Sequence, residues 1–150
     1  MAEVAWSPAK SRDFAGFSAR LPAQITRLRA LGVIIPAPSI AIGRWSPAEM
    51  SILLKDLDFP FTPQNPGTYT VTTTYTKGLH GLAIESVALL QDGKEITRDQ
   101  HPGFAGGTNR QNTYTLKIPA LTAGAAYVLR IHCRSDGGTD SAGTINVTAP

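Results

Sequence analysis

Thr68-Tyr69-Thr70-Val71-Thr72-Thr73-Thr74-Tyr75-Thr76 is the stretch that decides the fold. Its period is two: Tyr69, Val71, Thr73 and Tyr75 share one face and Thr70, Thr72 and Thr74 the other, as a half-buried strand requires. β-Branched and aromatic side chains at this density favour a pleated strand over a helix. Downstream, Leu82, Ile84, Ala88 and Leu90 mark a second strand, and Asp92-Gly93 supplies a tight hairpin turn into Lys94 to Asp99. Alternation returns in Tyr114, Leu116 and Ile118, in Tyr127, Leu129, Ile131 and Cys133, and in Ile145 and Val147. Short strands separated by turn signals read as a β-sandwich. Leu121-Thr122-Ala123-Gly124-Ala125-Ala126-Tyr127 has the spacing of a tyrosine corner, in which the hydroxyl bonds back to upstream backbone, and this gives Tyr127 a structural role. The expectation is a mainly β chain whose residues 67–150 form a Greek-key, immunoglobulin- or fibronectin-like sandwich.

Upstream the pattern changes twice. Residues 34–66 carry Pro36, Pro38, Pro47, Pro60, Pro63 and Pro66, too many for a long helix, and read either as a linker or as the first strands of the sandwich. Within them Ser39 to Trp45 suits a short strand, and Ser46-Pro47-Ala48-Glu49 has the cap, first-turn proline and glutamate of a brief helical turn. Residues 1–33 read as a helix capped at Ser7-Pro8, with Phe14, Phe17, Leu21, Leu28 and Leu31 on one face and Gly32 ending it. Pro22 inside that pattern predicts a kink or a restart. The apolar face needs a partner, either the β module or a second copy of the chain.

Composition narrows the class. With 150 residues, 42% hydrophobic and 17% charged, the chain is globular and long enough for a real core. A formal charge of +3 from scattered basic residues argues against nucleic acid. No apolar run approaches the roughly 20 residues of a spanning helix, so no membrane partner is expected. The start lacks a charged n-region and an apolar h-region, so no secretion signal is read there. The single cysteine, Cys133, excludes an internal disulfide and reads as a small buried hydrophobe.

Two stretches resemble a known family. Ala2-Glu3-Val4-Ala5-Trp6-Ser7-Pro8 with Arg12-Asp13-Phe14, Phe17, Arg20-Leu21-Pro22 and Leu28-Arg29-Ala30-Leu31-Gly32-Val33 resembles the C-terminal end of the catalytic barrel of family 20 glycoside hydrolases, the β-N-acetylhexosaminidases. Tyr75 to His80, Ile84 to Glu95, His101 to Gly106 and Arg134 to Thr144 are similar to a region found after the barrel in some bacterial members. Val33 runs on into Ile34-Ile35-Pro36, where the family more often has an Asn/Tyr/Arg run. The resemblance implies that residues 1–33 close a (β/α)₈ barrel, with Glu3 and Trp6 in packing roles. It also implies a parent enzyme that is exported and hydrolyses terminal N-acetylhexosamine by a substrate-assisted route. The Asp-Glu pair that performs that chemistry has no counterpart here, so the chain is expected to be a non-catalytic C-terminal accessory domain partnered by the barrel.

The residues themselves offer a few sites. Trp45, Phe59, Phe61 and Phe104 are candidates for stacking a sugar, Trp45 and Phe104 foremost, which makes a carbohydrate-binding module the alternative function; packing in the core or against the helix is the other reading of these aromatics. Asp136 and Asp140, in Asp136-Gly137-Gly138-Thr139-Asp140-Ser141, have the oxygen-rich composition of a calcium loop, or of a turn whose aspartates cap backbone amides. As a reacting pair they would need a separation of about 5–10 Å across a cleft, the third and least favoured reading, an independent hydrolase. His80, His101 and His132 share no metal-ligand spacing, and no cofactor other than calcium is suggested. Asn146-Val147-Thr148 matches a glycosylation sequon but falls on a strand.

Overall fold

The computed structural model of the chain describes residues 14–33 and 38–150. The chain divides into two compact units, Met1–Pro36 and Ala37–Pro150. In the first, helix α1 spans Phe14–Ala30 without a restart at Pro22. Gly32 adopts φ +77°, and the Val33 amide donates to the Leu28 carbonyl at 3.0 Å. That pair is a Schellman closure, which glycine permits without a Cβ penalty. Leu21, Leu28 and Leu31 are exposed. Trp6 and the cap expected at Ser7-Pro8 lie outside the described residues.

The second unit contains nine described strands: β1 (Ser39–Trp45), β2 (Lys55–Pro60), β3 (Gly67–Lys77), β4 (Leu82–Gln91), β5 (Lys94–Asp99), β6 (Gly103–Ala105), β7 (Gln111–Ile118), β8 (Tyr127–Ser135) and β9 (Ala142–Thr148). They form two antiparallel sheets, β1-β9-β3-β7 and β2-β8-β4-β5, with β6 beside the first half of β4. Residues 34–66 therefore include two strands of the sandwich. Ser46 and Glu49 form the capping box of the 3₁₀ turn Pro47–Glu49 between them.

The pairing is nested. β4 pairs with β5, β3 with β7, β2 with β8 and β1 with β9, so the chain doubles back on itself around Asp92-Gly93. Asp92 (φ +49°) and Gly93 (φ +79°) both take the left-handed conformation that a two-residue type I′ turn demands. The doubled ribbon is then rolled, bringing β9 against β3 and β8 against β4. This order departs from the expected immunoglobulin arrangement, in which the first two strands share a sheet. Here β1, β2, β3 and β4 alternate between sheets, a choice that strand periodicity does not encode. The tyrosine corner is nevertheless formed: Thr122 N–H donates to the Tyr127 hydroxyl at 2.8 Å, and that hydroxyl lies 3.3 Å from Gln91 Oε1.

Inward faces make the core. Tyr69, Val71, Tyr75, Tyr114, Leu116, Ile145 and Val147 meet Leu57, Leu82, Ile84, Val87, Leu89, Leu129 and Ile131 across the sheets. Each large aliphatic side chain of this set contributes about 1.5–3 kcal/mol, against about 0–1 kcal/mol for an exposed ion pair, so the core rather than the surface charge holds the sandwich. A bulge in β4 between Ile84 and Ser86 shifts the register against β8. Strict alternation breaks there: Val87 and Leu89 point inward, and Ser86, Ala88 and Leu90 are left on the outer face.

Trp45 closes the core at one end. It is 1% exposed, and its Nε1–H donates to Ser141 Oγ at 3.0 Å. Gly143 makes room for the indole, since a Cβ there would lie 2.1 Å from the ring and 2.4 Å from the Thr74 carbonyl oxygen. Gly143→Ala is expected to lower stability by about 2 kcal/mol through overpacking, while Thr144→Ala changes it by less than about 0.5 kcal/mol, as measured by urea unfolding. Cys133 is wholly buried, and that burial pushes its thiol up to about 12. A maleimide should therefore fail to label the native protein at neutral pH and label it fully once unfolded.

Candidate functional site

The outer face of the β2-β8-β4-β5 sheet carries the densest polar arrangement of the described sandwich. Register builds it in rows. Asp56 stands opposite His132, which stands opposite Ser86; Asp58 stands opposite Arg130, then Ala88, then Arg98. These positions have the opposite parity to Leu57, Leu129 and Ile131, so alternation alone places them outside once the core face is set.

The side chains are knit together. Arg130 makes a forked pair with Asp58, Nε to Oδ1 at 2.8 Å and an Nη to Oδ2 at 2.7 Å, and its other Nη lies 3.3 Å from Asp56. Asp56 Oδ1 is also 2.7 Å from His132 Nδ1. On the far side of β4, Arg98 forks onto Glu95 and reaches Ser86 Oγ at 3.2 Å. The Arg130 hydrogen bond holds the Asp58 carboxyl below its ordinary range, and Arg98 does the same for Glu95. Between these walls runs a groove of about 360 Å³ with Ser86, Ala88 and Leu90 along its floor. Three carboxylates, two guanidiniums and one imidazole nearly balance in charge and offer fixed acceptors and donors side by side, a surface suited to a neutral polyhydroxylated ligand.

Asp56, His132 and Ser86 are residue types of a hydrolytic triad in adjacent rows. No hydrogen bond joins Ser86 to His132 among the described residues; the Ser86 hydroxyl accepts from Arg98 instead. Ser86 pairs with His132 of β8 just after the β4 bulge, in the middle of a sheet face and not at a turn that presents a nucleophile.

The expected sugar-stacking pair is not brought together. Trp45 is a core residue of the other sheet, with no ring face open, because its strand ends pointing inward against Gly143. Phe104 is half-buried on the outer side of β6, opposite Ala83, with its ring laid over Gly81 and Gly106. It does not line the groove.

Asp136 and Asp140 act across the chain. Asp136 Oδ1 accepts from the Gly81 amide at 2.8 Å; Asp140 accepts from Leu79 at 2.7 Å and His80 at 3.2 Å, and its Oδ1 lies 2.9 Å from His80 Nδ1. The His80 ring covers Gly137 and Gly138. The two aspartates thus clamp the β8–β9 loop onto the β3–β4 turn. His101 pairs with Asp99 at 2.5 Å and stacks on Tyr114, so the three histidines each meet a different aspartate. Among the described residues no group of three or more His, Cys, Asp or Glu gathers for a metal.

Asp58, Glu95, Arg98 and Arg130 were not legible as a site. The available signal was polar residues at anti-core parity in Lys55-Asp56-Leu57-Asp58-Phe59 and Leu129-Arg130-Ile131-His132, which becomes informative only when those segments are known to be neighbours.

The Leu79 amide and His80 depress the Asp140 carboxyl to about 2. A depressed carboxyl favours the folded clamp above the ordinary carboxylate range, and that contribution is lost as pH falls through about 2. The Leu79 amide proton should therefore shift with a midpoint near 2 in an NMR titration, and Asp140→Asn should abolish the shift.

The chain matches no protein-family model, and no curated protein matches it.

Proposed function

We propose that the chain is a non-catalytic C-terminal accessory module of a β-N-acetylhexosaminidase-like glycoside hydrolase. The observation that supports this reading is the structural use of the stretch that carries the family resemblance most specifically. In Asp136-Gly137-Gly138-Thr139-Asp140-Ser141, both aspartates hold backbone amides, both glycines lie under His80, and Ser141 anchors the Trp45 indole. With these carboxylates turned onto the protein, the loop serves as a clamp. A calcium ion there would have to compete with those amides for the same oxygens.

The groove between Arg130 and Arg98 favours a second reading, that the module binds a glycan of the parent enzyme's substrate class. Nested pairing of β1–β9, β2–β8, β3–β7 and β4–β5 supports a jelly-roll winding in place of an immunoglobulin one. Lectin domains use that architecture. The groove's paired carboxylates and guanidiniums supply the fixed polar contacts that sugar hydroxyls need.

Chromogenic N-acetylglucosaminide should not be turned over by the purified chain, and turnover above background would overturn the non-catalytic reading. For the glycan reading, calorimetric titration with N-acetylglucosamine oligomers should show saturable binding. Arg130→Ala should weaken it roughly tenfold or more, as loss of a charged hydrogen bond does, at a stability cost of no more than about 1 kcal/mol because the pair is substantially exposed. Binding that persists in Arg130→Ala, or its absence in the native chain, would remove the groove from consideration.

A further inference from the structure

One end of the sandwich displays aliphatic side chains that the core does not use. Leu79 is 91% exposed, and Ile52, Leu53 and Leu54 are 56%, 73% and 47% exposed. Both loops that carry them stand at the end where β8 leaves the sheet: Ser135 N–H donates to the Ser51 carbonyl at 2.7 Å, and Asp136 N–H to the Gly81 carbonyl at 3.2 Å. Neither tip is loosely tethered. Ser51 Oγ accepts from the Leu53 amide at 3.0 Å, Lys55 Nζ reaches the Glu49 carbonyl at 2.8 Å across the loop base, and the Leu79 amide is held by Asp140. The hydrogen bonds thus tether both loops while their aliphatic side chains stay exposed. Soluble surfaces scatter single aliphatics, but three in a row with a fourth on the neighbouring loop mark a contact surface.

Charge indicates what covers it. Arg44, Lys77 and Arg134 sit within a residue of the ends of β1, β3 and β8 at this same end, all exposed. No ion pair engages any of the three among the described residues. The acids of these loops lie at the surface, each already engaged by donors of its own end of the fold: Glu49 by Ser46, Asp136 by the Gly81 amide, Asp140 by the Leu79 and His80 amides. Arg44 and Lys77 flank the tip on one sheet and Arg134 on the other, where it lines a shallow hollow with Ile52 and the amide-bound Asp136. Protruding aliphatics collared by unpaired cations complement a fluid apolar phase with anionic headgroups.

We infer that this end of the sandwich, with Ile52, Leu53, Leu54 and Leu79 inserted and Arg44, Lys77 and Arg134 on the headgroups, docks peripherally on an anionic lipid bilayer. No helix among the described residues is long and apolar enough to span a membrane. The contact is therefore interfacial, and it is independent of the glycan groove.

The test is co-sedimentation of the full chain with vesicles of mixed phosphatidylcholine and phosphatidylglycerol. The native chain should bind, and high salt should weaken the binding. Leu53→Ser with Leu79→Ser should reduce the vesicle partition more than about tenfold, because several methylene groups leave the apolar phase, with an unchanged thermal melt. Lys77→Gln with Arg134→Gln should reduce it on the anionic vesicles. Failure to bind would overturn the inference, as would equal binding to pure phosphatidylcholine. Binding untouched by the leucine substitutions would locate the contact elsewhere on the chain, helix α1 included, and would overturn it too.

Discussion

The Trp45 indole, seated where Gly143 has no side chain and tied to Ser141, is the contact on which the rest of the sandwich depends. It joins the last residue of β1 to the first residues of β9, and so fixes the outermost pair of the nested ribbon. Ser141 ends the loop whose aspartates hold the β3–β4 turn, so one buried hydrogen bond and one steric vacancy set the geometry of a whole end of the fold. A tryptophan N–H buried without an acceptor would cost about 1–3 kcal/mol. Ser141 removes that cost and fills the core with the largest side chain available.

From this end the two sheets diverge in character. The outer face of β1-β9-β3-β7 is mostly hydroxyls and amides, with Thr70, Thr72 and Thr74 standing beside Thr148, Asn146 and Thr144, and Arg44 and Lys117 on its outer strands. β-Branched threonine is sufficient to account for that face, since it suits a solvated pleat, and the twist of a four-stranded sheet keeps it from presenting a flat lattice. The outer face of β2-β8-β4-β5 differs because β4 is bulged. Moving Ser86, Ala88 and Leu90 outward lays small or apolar residues under the arms of Arg98 and Arg130. Long guanidinium side chains cover such a floor with their stems while keeping their charge in water. The groove follows from that mismatch in length between β4 and its neighbours.

The polar and apolar features of the sandwich fall on separate surfaces. The clamp made by Asp136 and Asp140 serves architecture. The balanced charges around Arg130 offer hydrogen bonds without a strong field, and the aliphatic loops at the Trp45 end offer insertion without a cavity. Each surface has its own chemistry, although the clamp aspartate Asp140 also holds the Leu79 loop.

Local sterics made much of this legible from sequence alone. The faces of β3, β7, β8 and β9 follow from period-two alternation, the Asp92-Gly93 hairpin from the left-handed backbone that aspartate and glycine accept, and the corner at Tyr127 and the cap at Ser46 from contacts within five residues. What a residue meets at long range stayed hidden. Asp56 and His132 are 76 positions apart and become a pair only because β2 and β8 are neighbours. Trp45 reads as a core residue or a platform until Gly143 is placed beneath it, and Asp140 as an amide cap or a cation ligand until Leu79 arrives at its oxygens. Strand order itself belongs to this class, because alternation fixes which side of a strand is apolar but not which strand lies beside it. That choice was made by closure of the doubled ribbon, where burying both inner faces at once is the only arrangement that leaves neither exposed.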